Sequence, residues 1–433
     1  MPLTTYIRKE DKNRWERRAP LTPDAVAALV QAGIPVWVER APDRLYADTA
    51  YQQAGATLTR SSTSADIVLG IKEPALAAIR DHQVHLAFSH TIKGQPYNMG
   101  LLKTFMARKC TLIDYELIKD EKGVRSIAFG RFAGIAGAVD TLHVFGRKLA
   151  QKDHSSLAAG IHMAHHYETL GNLENQLRQH AHDFEEDATK TALLQDLPGD
   201  LKMVITGSGN VGKGCVEVCE WLGLPRVDPA RLAEGNPPRG SWYSVLKTAN
   251  LVASKSGGGF SWREYREFGK QRYESIFHQY LGTFNLLLQT PYWDEDYPPL
   301  LPRAVLTEYA DDLPLVIGDI SCDINGSLEC TLAATTIDEP AYTYLPASHA
   351  KRAGISWDGP TIMAIDHLPC ELSRDASEHF SNILARFLPE LVAIDLSMPL
   401  ESCGLSKVLR DAVIVYKGEL TPGFTYLEDY LDG

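Results

Sequence analysis

One stretch constrains this chain more than any other: Met203-Val-Ile-Thr-Gly207-Ser-Gly209-Asn-Val-Gly212-Lys-Gly-Cys-Val-Glu-Val-Cys-Glu-Trp-Leu-Gly223. A short apolar run leads into Gly207-x-Gly209-x-x-Gly212, and a helical pattern follows. The order predicts a strand, a tight turn and a helix start. Gly207 admits the sharp turn, Gly209 lets a pyrophosphate approach the backbone, and Gly212 lets the helix lie close to the strand. Free N–H groups and the positive dipole end of the helix then face the phosphates. Ser208, Asn210 and Val211 complete the predicted dinucleotide-binding turn. Glycine loops also arise by chance, but the strand before and the stripe Val211, Val218 and Leu222 after favour the dinucleotide. Asp228 stands about where an acidic residue would bind a ribose 2′-OH, which favours NAD. Arg226, two residues before it, could take a 2′-phosphate instead.

At 433 residues the chain is too long for one ordinary domain, and two are expected. A hydrophobic share of 44% with 23% charged residues suits a globular protein with full cores. The formal net charge of -12 argues against nucleic acid or an anionic membrane as partner. The first residues, Met-Pro-Leu-Thr-Thr-Tyr-Ile-Arg, do not read as a signal peptide, and no apolar run approaches membrane-span length. Cysteines 110, 215, 219, 322, 330, 370 and 403 form no CxxC pair, which suggests reduced thiols and a cytoplasmic location. Cys215 and Cys219 share a helix face and are expected to be buried.

The first third alternates strands with helices. Leu3–Ile7, Pro35–Glu39, Ile67–Ile71, Val84–Phe88 and Thr111–Asp114 are apolar runs; Thr22–Gly33 and Asp48–Ala54 read as helices. This rhythm predicts an α/β fold with parallel sheets covered on both faces. The small-residue segment 128–137 reads as a hinge into a helix from about Gly137 to Leu149. A second helix is expected from about Glu168 to Ala188. Residues 225–260 read as surface loops around a short helix. Leu313–Ile320 reads as a later strand, and Asp375–Leu388 as a helix stopped by Pro389 that could return to the first domain. The expected organisation is two Rossmann-like domains with a cleft between them: 1–135 with 370–433 for the substrate, and 136–369 for the dinucleotide.

In an open α/β sheet, ligands collect outside the carboxyl ends of the strands. There the first domain carries Lys72-Glu73, then Ser89-His90-Thr91, then Glu116, with Arg18 after an early strand. A lysine, a histidine, a glutamate and an arginine on one rim suit acid–base chemistry on an anionic substrate. Each could also lie at a strand end only because loops are wet. His162-Met-Ala-His-His166 has helical spacing but lacks HExxH, a nearby cysteine or a paired carboxylate, so no metal is expected there.

Several of these segments carry a resemblance. Residues 8–21, Gly70-Ile-Lys-Glu-Pro74, Phe88-Ser-His-Thr-Ile-Lys-Gly-Gln95, Asn98-Met-Gly-Leu-Leu102, Asp114-Tyr-Glu116, Gly123-Val-Arg125, Ala128-Phe-Gly130 and Asp319-Ile-Ser321 resemble the lysine–ketoglutarate reductase half of the animal and plant aminoadipic semialdehyde synthases. Ala364-Ile-Asp-His-Leu-Pro369 and Ser373-Arg-Asp-Ala-Ser-Glu-His-Phe380 also resemble the lysine-forming saccharopine dehydrogenases of fungi. Alanine dehydrogenases share the architecture. The resemblance implies reductive condensation of L-lysine with 2-oxoglutarate to saccharopine, through an imine reduced by a nicotinamide cofactor. It implies an acid–base pair at Lys72 and His90, carboxylate binding by Arg18 and Arg125, substrate-amine contacts at Glu73 and Glu116, and Asp319 beside the nicotinamide ribose. The N-terminal motifs lean to the animal and plant type, which implies NADP(H), with NAD(H) as the alternative. Small molecules are the expected partners and a homo-oligomer is left open. The other readings are an imine or amino-acid dehydrogenase with another amine or keto acid, and a non-catalytic dinucleotide-binding regulator.

Overall fold

The computed structural model describes residues 3–62, 65–154, 156–190 and 199–431, with side chains left undescribed at 185–190. In chain order its strands are β1 (Thr5–Ile7), β2 (Val36–Glu39), β3 (Thr57–Thr59), β4 (Ile67–Leu69), β5 (Val84–Ala87), β6 (Thr111–Asp114), β7 (Lys202–Thr206), β8 (Trp242–Leu246), β9 (Val252–Ser254), β10 (Tyr273–Ser275), β11 (Leu286–Gln289), β12 (Val316–Asp319), β13 (Tyr342–Leu345), β14 (Ala350–Ala353), β15 (Thr361–Met363), β16 (Val413–Tyr416) and β17 (Glu419–Leu420). The helices used below are α1 (Pro23–Gln31), α2 (Asp48–Gln53), α3 (Pro96–Ala107), α4 (Gly130–Ala150), α5 (Leu170–Lys190), α6 (Asn210–Trp221), α7 (Pro229–Ala233), α8 (Thr248–Leu251) and α9 (Trp262–Arg272).

Residues 1–128 and 373–433 form one unit, and 129–372 the other. The first unit is built on an eight-stranded sheet in the order β17-β16-β6-β5-β4-β1-β2-β3. Strands β1 to β6 are parallel, and β16 and β17 add an antiparallel edge. The central strands are buried at every residue, as a sheet covered on both faces requires. Helix α1 starts where the sequence says it should: Thr22 caps Ala25 N at 3.2 Å and Pro23 opens the first turn.

The second unit has a seven-stranded sheet in the order β14-β13-β15-β12-β11-β7-β8, with β13 and β14 antiparallel. Strand β8 corrects the expectation of loops over 225–260. Its five residues, Trp-Tyr-Ser-Val-Leu, are all buried beside β7, although Pro- and Gly-rich residues precede them.

The helix expected from about Gly137 starts earlier: α4 begins at Gly130, just after the boundary between the two units at 128/129. Its glycines bring two helices together. A Cβ at Gly134 would lie 2.0 Å from the Val211 carbonyl of α6, and one at Gly214 would lie 2.3 Å from the Arg131 carbonyl. Only glycine permits that backbone contact. Another correction falls at the return to the first unit. The helix Ser373–Leu384 ends before Pro389, which sits instead in the first turn of the next helix, Leu388–Leu391. All seven cysteines are free, with Cys215 and Cys219 buried. Among the described residues no helix is long and apolar enough to cross a membrane.

Candidate active site

Strands β4, β5 and β6 are neighbours in register, so the residues just past their carboxyl ends share one rim. The loop after β4 carries Lys72 and Glu73, and it is pinned from beneath. Glu10, buried, accepts from the backbone N–H of Ile71 at 2.7 Å and of Lys72 at 3.0 Å. The Arg8 guanidinium pairs with Glu10 at 3.0 Å and also donates to the Lys72 carbonyl. Its Nε passes 2.3 Å from where Gly70 would carry a Cβ, so this position has room only for glycine. Burial raises the Glu10 pKa against the pull of Arg8.

Glu73 faces His90, with 3.5 Å between Oε2 and Nδ1, and its Oε1 pairs with Lys12. Burial opposes its charge, but the His90 and Lys12 contacts outweigh it and hold the carboxyl well below the usual range. Glu73 Oε2 is buried and makes no hydrogen bond. His90 sits in the left-handed region at φ 51°, uncommon for a residue with a Cβ. Asp114, at the end of β6, fixes the loop that bends this way. Its Oδ2 accepts from Ser89 N at 3.0 Å and from the Ser89 hydroxyl, and its Oδ1 accepts from Glu116 N at 2.8 Å. Asn98 Nδ2 of α3 donates to the His90 carbonyl at 3.2 Å.

Glu73 and His90 therefore come together, Lys72 is next to Glu73 in the chain with its charge felt at Glu16, and Glu116 and Arg125 form their own ion pair. Arg18 is nearly fully buried and grips Glu16, Nε to Oε1 at 2.7 Å. Burial raises the Glu16 pKa, but Arg18 first and Lys72 further off lower it below the ordinary value. Arg18 thus joins the Lys72 neighbourhood through a carboxylate. The sequence reading assigned no role to Glu10, Glu16, Lys12 or Asp114. A partner of this kind leaves no pattern in the sequence beyond a charge next to a strand end.

In the second unit, Gly207 turns at φ 84° and its N–H donates to the Leu246 carbonyl of β8 at 2.8 Å. A Cβ at Gly212 would lie 2.5 Å from the Gly207 carbonyl, whereas one at Gly209 would meet nothing within 4 Å. Gly209 is the N-cap of α6 and no side chain caps the helix. The turn thus offers open space in front of free N–H groups, which fits a pyrophosphate.

Asp319 ends β12 but is fully engaged. It accepts from Ser321 Oγ at 2.7 Å, Cys322 N at 3.1 Å and Thr331 Oγ1 at 2.7 Å, and so closes its own loop. Asp228 caps α7, accepting from Ala230 N at 2.9 Å. The segment leading to it pairs with Tyr243 of β8, the edge strand, so it lies one strand farther from β7 than β8 does. Of the histidine cluster, residues 164–166 form a short 3₁₀ turn, and His165 Nδ1 lies 2.9 Å from Glu371.

The alanine dehydrogenase/PNT N-terminal domain model matches residues 6–136. Alpha-aminoadipic semialdehyde synthase of Rattus norvegicus is 32% identical over 442 residues, 98% of this chain and 47% of the relative. That of Arabidopsis thaliana is 32% identical over 97% of this chain and 41% of the relative. The chain therefore spans about half the length or less of these relatives. Saccharopine dehydrogenase [NAD(+), L-lysine-forming] of Yarrowia lipolytica is 25% identical over 96% of this chain and 99% of its own length. Among solved structures, an L-alanine dehydrogenase superposes with a TM-score of 0.65 at 18% identity, covering 99% of this chain and 100% of that one; it speaks to the fold alone. Over nearly its full length the chain is thus similar to the lysine-forming saccharopine dehydrogenases and to part of the alpha-aminoadipic semialdehyde synthases.

Proposed function

We propose that this chain is an oxidoreductase that condenses L-lysine with 2-oxoglutarate and reduces the product to saccharopine with NADPH. The names of its relatives support the reaction class. The observation that carries the chemistry is Glu73 Oε2, buried, without a hydrogen bond, and next in sequence to Lys72 and 3.5 Å from His90. A buried carboxylate oxygen without a hydrogen bond, facing a histidine, suits an incoming ammonium with His90 at hand as its base.

In this reading the first unit handles the substrates and the second the dinucleotide. Glu73 and Glu116 receive the amine, and Arg125 takes a carboxylate of the keto acid with its guanidinium fork. Arg18 acts on the same anion only if Glu16 shares it. The substrate amine, once neutral, adds to the keto carbon. His90 passes the proton released from nitrogen to the new alkoxide, and Lys72 protonates the resulting carbinolamine hydroxyl, which leaves as water with an N-protonated imine behind. The bound nicotinamide supplies the hydride that reduces the resulting imine. Asp319 acts indirectly here, by holding the 320–331 loop in shape.

Loss of NADPH absorbance on mixing the protein with L-lysine and 2-oxoglutarate tests the proposal. Turnover with that pair, and little with ammonia and pyruvate, is the expected result. Turnover only with ammonia and pyruvate overturns it in favour of an amino-acid dehydrogenase.

A further inference from the structure

Next to the glycine turn, the second unit holds an aromatic cavity of about 220 Å³ that the mechanism above does not use. Its walls are Thr248 and Leu251 of α8, Trp262 and Tyr265 of α9, and Tyr292 and Trp293 after β11. Pro291 also lines it, and that ring lies 3.0 Å from where Gly207 would carry a Cβ, so the cavity adjoins the turn. Flat apolar and aromatic walls suit a planar heterocycle, which can stack without specific hydrogen bonds.

The one charged residue lining it among the described residues is a cation, with Asp294 and Asp296 nearby in the loop after Trp293. Arg266 lines the cavity, with its guanidinium carbon 5.6 Å from the centre of the Trp262 ring, and no carboxylate lines it among the described residues. Lys247 directly follows Leu246, the residue whose carbonyl receives the Gly207 N–H. Neither cation takes part in an ion pair among the described residues. A dinucleotide site that prefers a free ribose 2′-OH places an acidic residue at this strand end. Here the strand end carries a lysine, and Asp228 is occupied as a helix cap beyond the edge strand.

We propose that this cavity seats the adenosine of the dinucleotide, and that Lys247 and Arg266 hold a phosphate on its 2′-oxygen. The inference rests on the dinucleotide reading of the glycine turn and adds the residues that choose between the two cofactors. A phosphate monoester brings up to two charges and three acceptor oxygens. The lysine meets them as a point charge and the arginine as a fork. A free 2′-hydroxyl gives these cations no counter-charge, so NAD(H) gains nothing from them.

Titration calorimetry on the full chain, with the fluorescence of Trp262 and Trp293 as a second readout, tests this without turnover. The probes are 2′,5′-ADP against 5′-ADP, and NADPH against NADH. The 2′-phosphorylated member of each pair is expected to bind about ten- to a hundredfold tighter, the usual worth of one or two charge-assisted contacts. Lys247→Ala should weaken NADPH and 2′,5′-ADP about tenfold or more and leave NADH unchanged; adding Arg266→Ala should erase the preference. Both side chains are exposed, so the fold should tolerate their loss. Equal binding of NADPH and NADH by the unaltered protein, or a preference that survives the double variant, overturns the proposal while leaving the glycine-turn reading intact. Failure to bind either dinucleotide overturns both.

Discussion

The rim of the first unit is made of charge, and the turn of the second is made by leaving side chains out. At the rim, Glu16 and Glu73 are held ionised by Arg18, Lys12 and His90, and the backbone under Lys72 is tied to Glu10 and Arg8. At the turn, three glycines leave open space, free N–H groups and a close crossing of backbones. The difference teaches what each site tolerates. A site of paired charges fails when one partner is removed, because the other stays buried and unpaired. A backbone site fails when an atom is added.

The largest effect should come from breaking a pair. Arg18→Ala leaves Glu16 buried without its guanidinium, and loss of one member of such a pair costs about 3–5 kcal/mol. Chemical denaturation should show this as a lower midpoint with an unchanged slope. A stability within 1 kcal/mol of the unaltered protein would mean that Glu16 finds another partner. If the variant folds, a raised KM for the keto acid would further place Arg18 in the carboxylate site.

Adding an atom should act differently. Gly209→Ala meets nothing within 4 Å, so its melting temperature should hold. The new methyl group occupies the space in front of the N–H groups, and dinucleotide affinity should fall about ten- to a hundredfold, or roughly 1.4–2.7 kcal/mol. Calorimetry reads the first and titration the second. Unchanged affinity would put the pyrophosphate elsewhere.

The smallest effect concerns acids that the second unit keeps protonated, the reverse of Glu73. Burial pushes Glu371 up to about 7, and burial together with Glu371 raises Asp140. A carboxyl whose folded pKa is raised still holds its proton in the folded chain where the unfolded chain has already lost it, so rising pH favours the unfolded chain. Its contribution is lost as pH climbs from about 4.5 to about 7. Glu371→Gln keeps the shape without the charge. Its melting temperature should exceed that of the unaltered protein by more at pH 8 than at pH 5.5. A constant or shrinking gap would show that Glu371 ionises freely.

Much of the architecture was legible because strands and helices write periodic patterns. The glycine turn was legible because only glycine permits its backbone. Lys72, His90 and Glu116 could be picked out because chain order puts them past adjacent parallel strands. Strand β8 was hidden, since five buried residues after a Pro-Pro-Arg-Gly-Ser run look like loop punctuated by apolar residues. The early start of α4 was hidden, because the sequence does not show that α6 presses against its glycines. Partnerships across long separations, such as Lys12 with Glu73 or Asp114 with Ser89, exist only once the sheet has formed.

The central claim is that the rim carries the proton chemistry while the glycine turn holds the dinucleotide. Lys72→Met keeps the length and apolar bulk of the side chain and removes the amine. NADPH affinity and turnover with L-lysine and 2-oxoglutarate should be measured on the same preparation. The account predicts affinity near that of the unaltered protein and turnover lower by a factor on the order of 10²–10⁴, the usual worth of a positioned acid or base. Near-normal turnover with NADPH bound would contradict it and move the chemistry away from the strand-end rim.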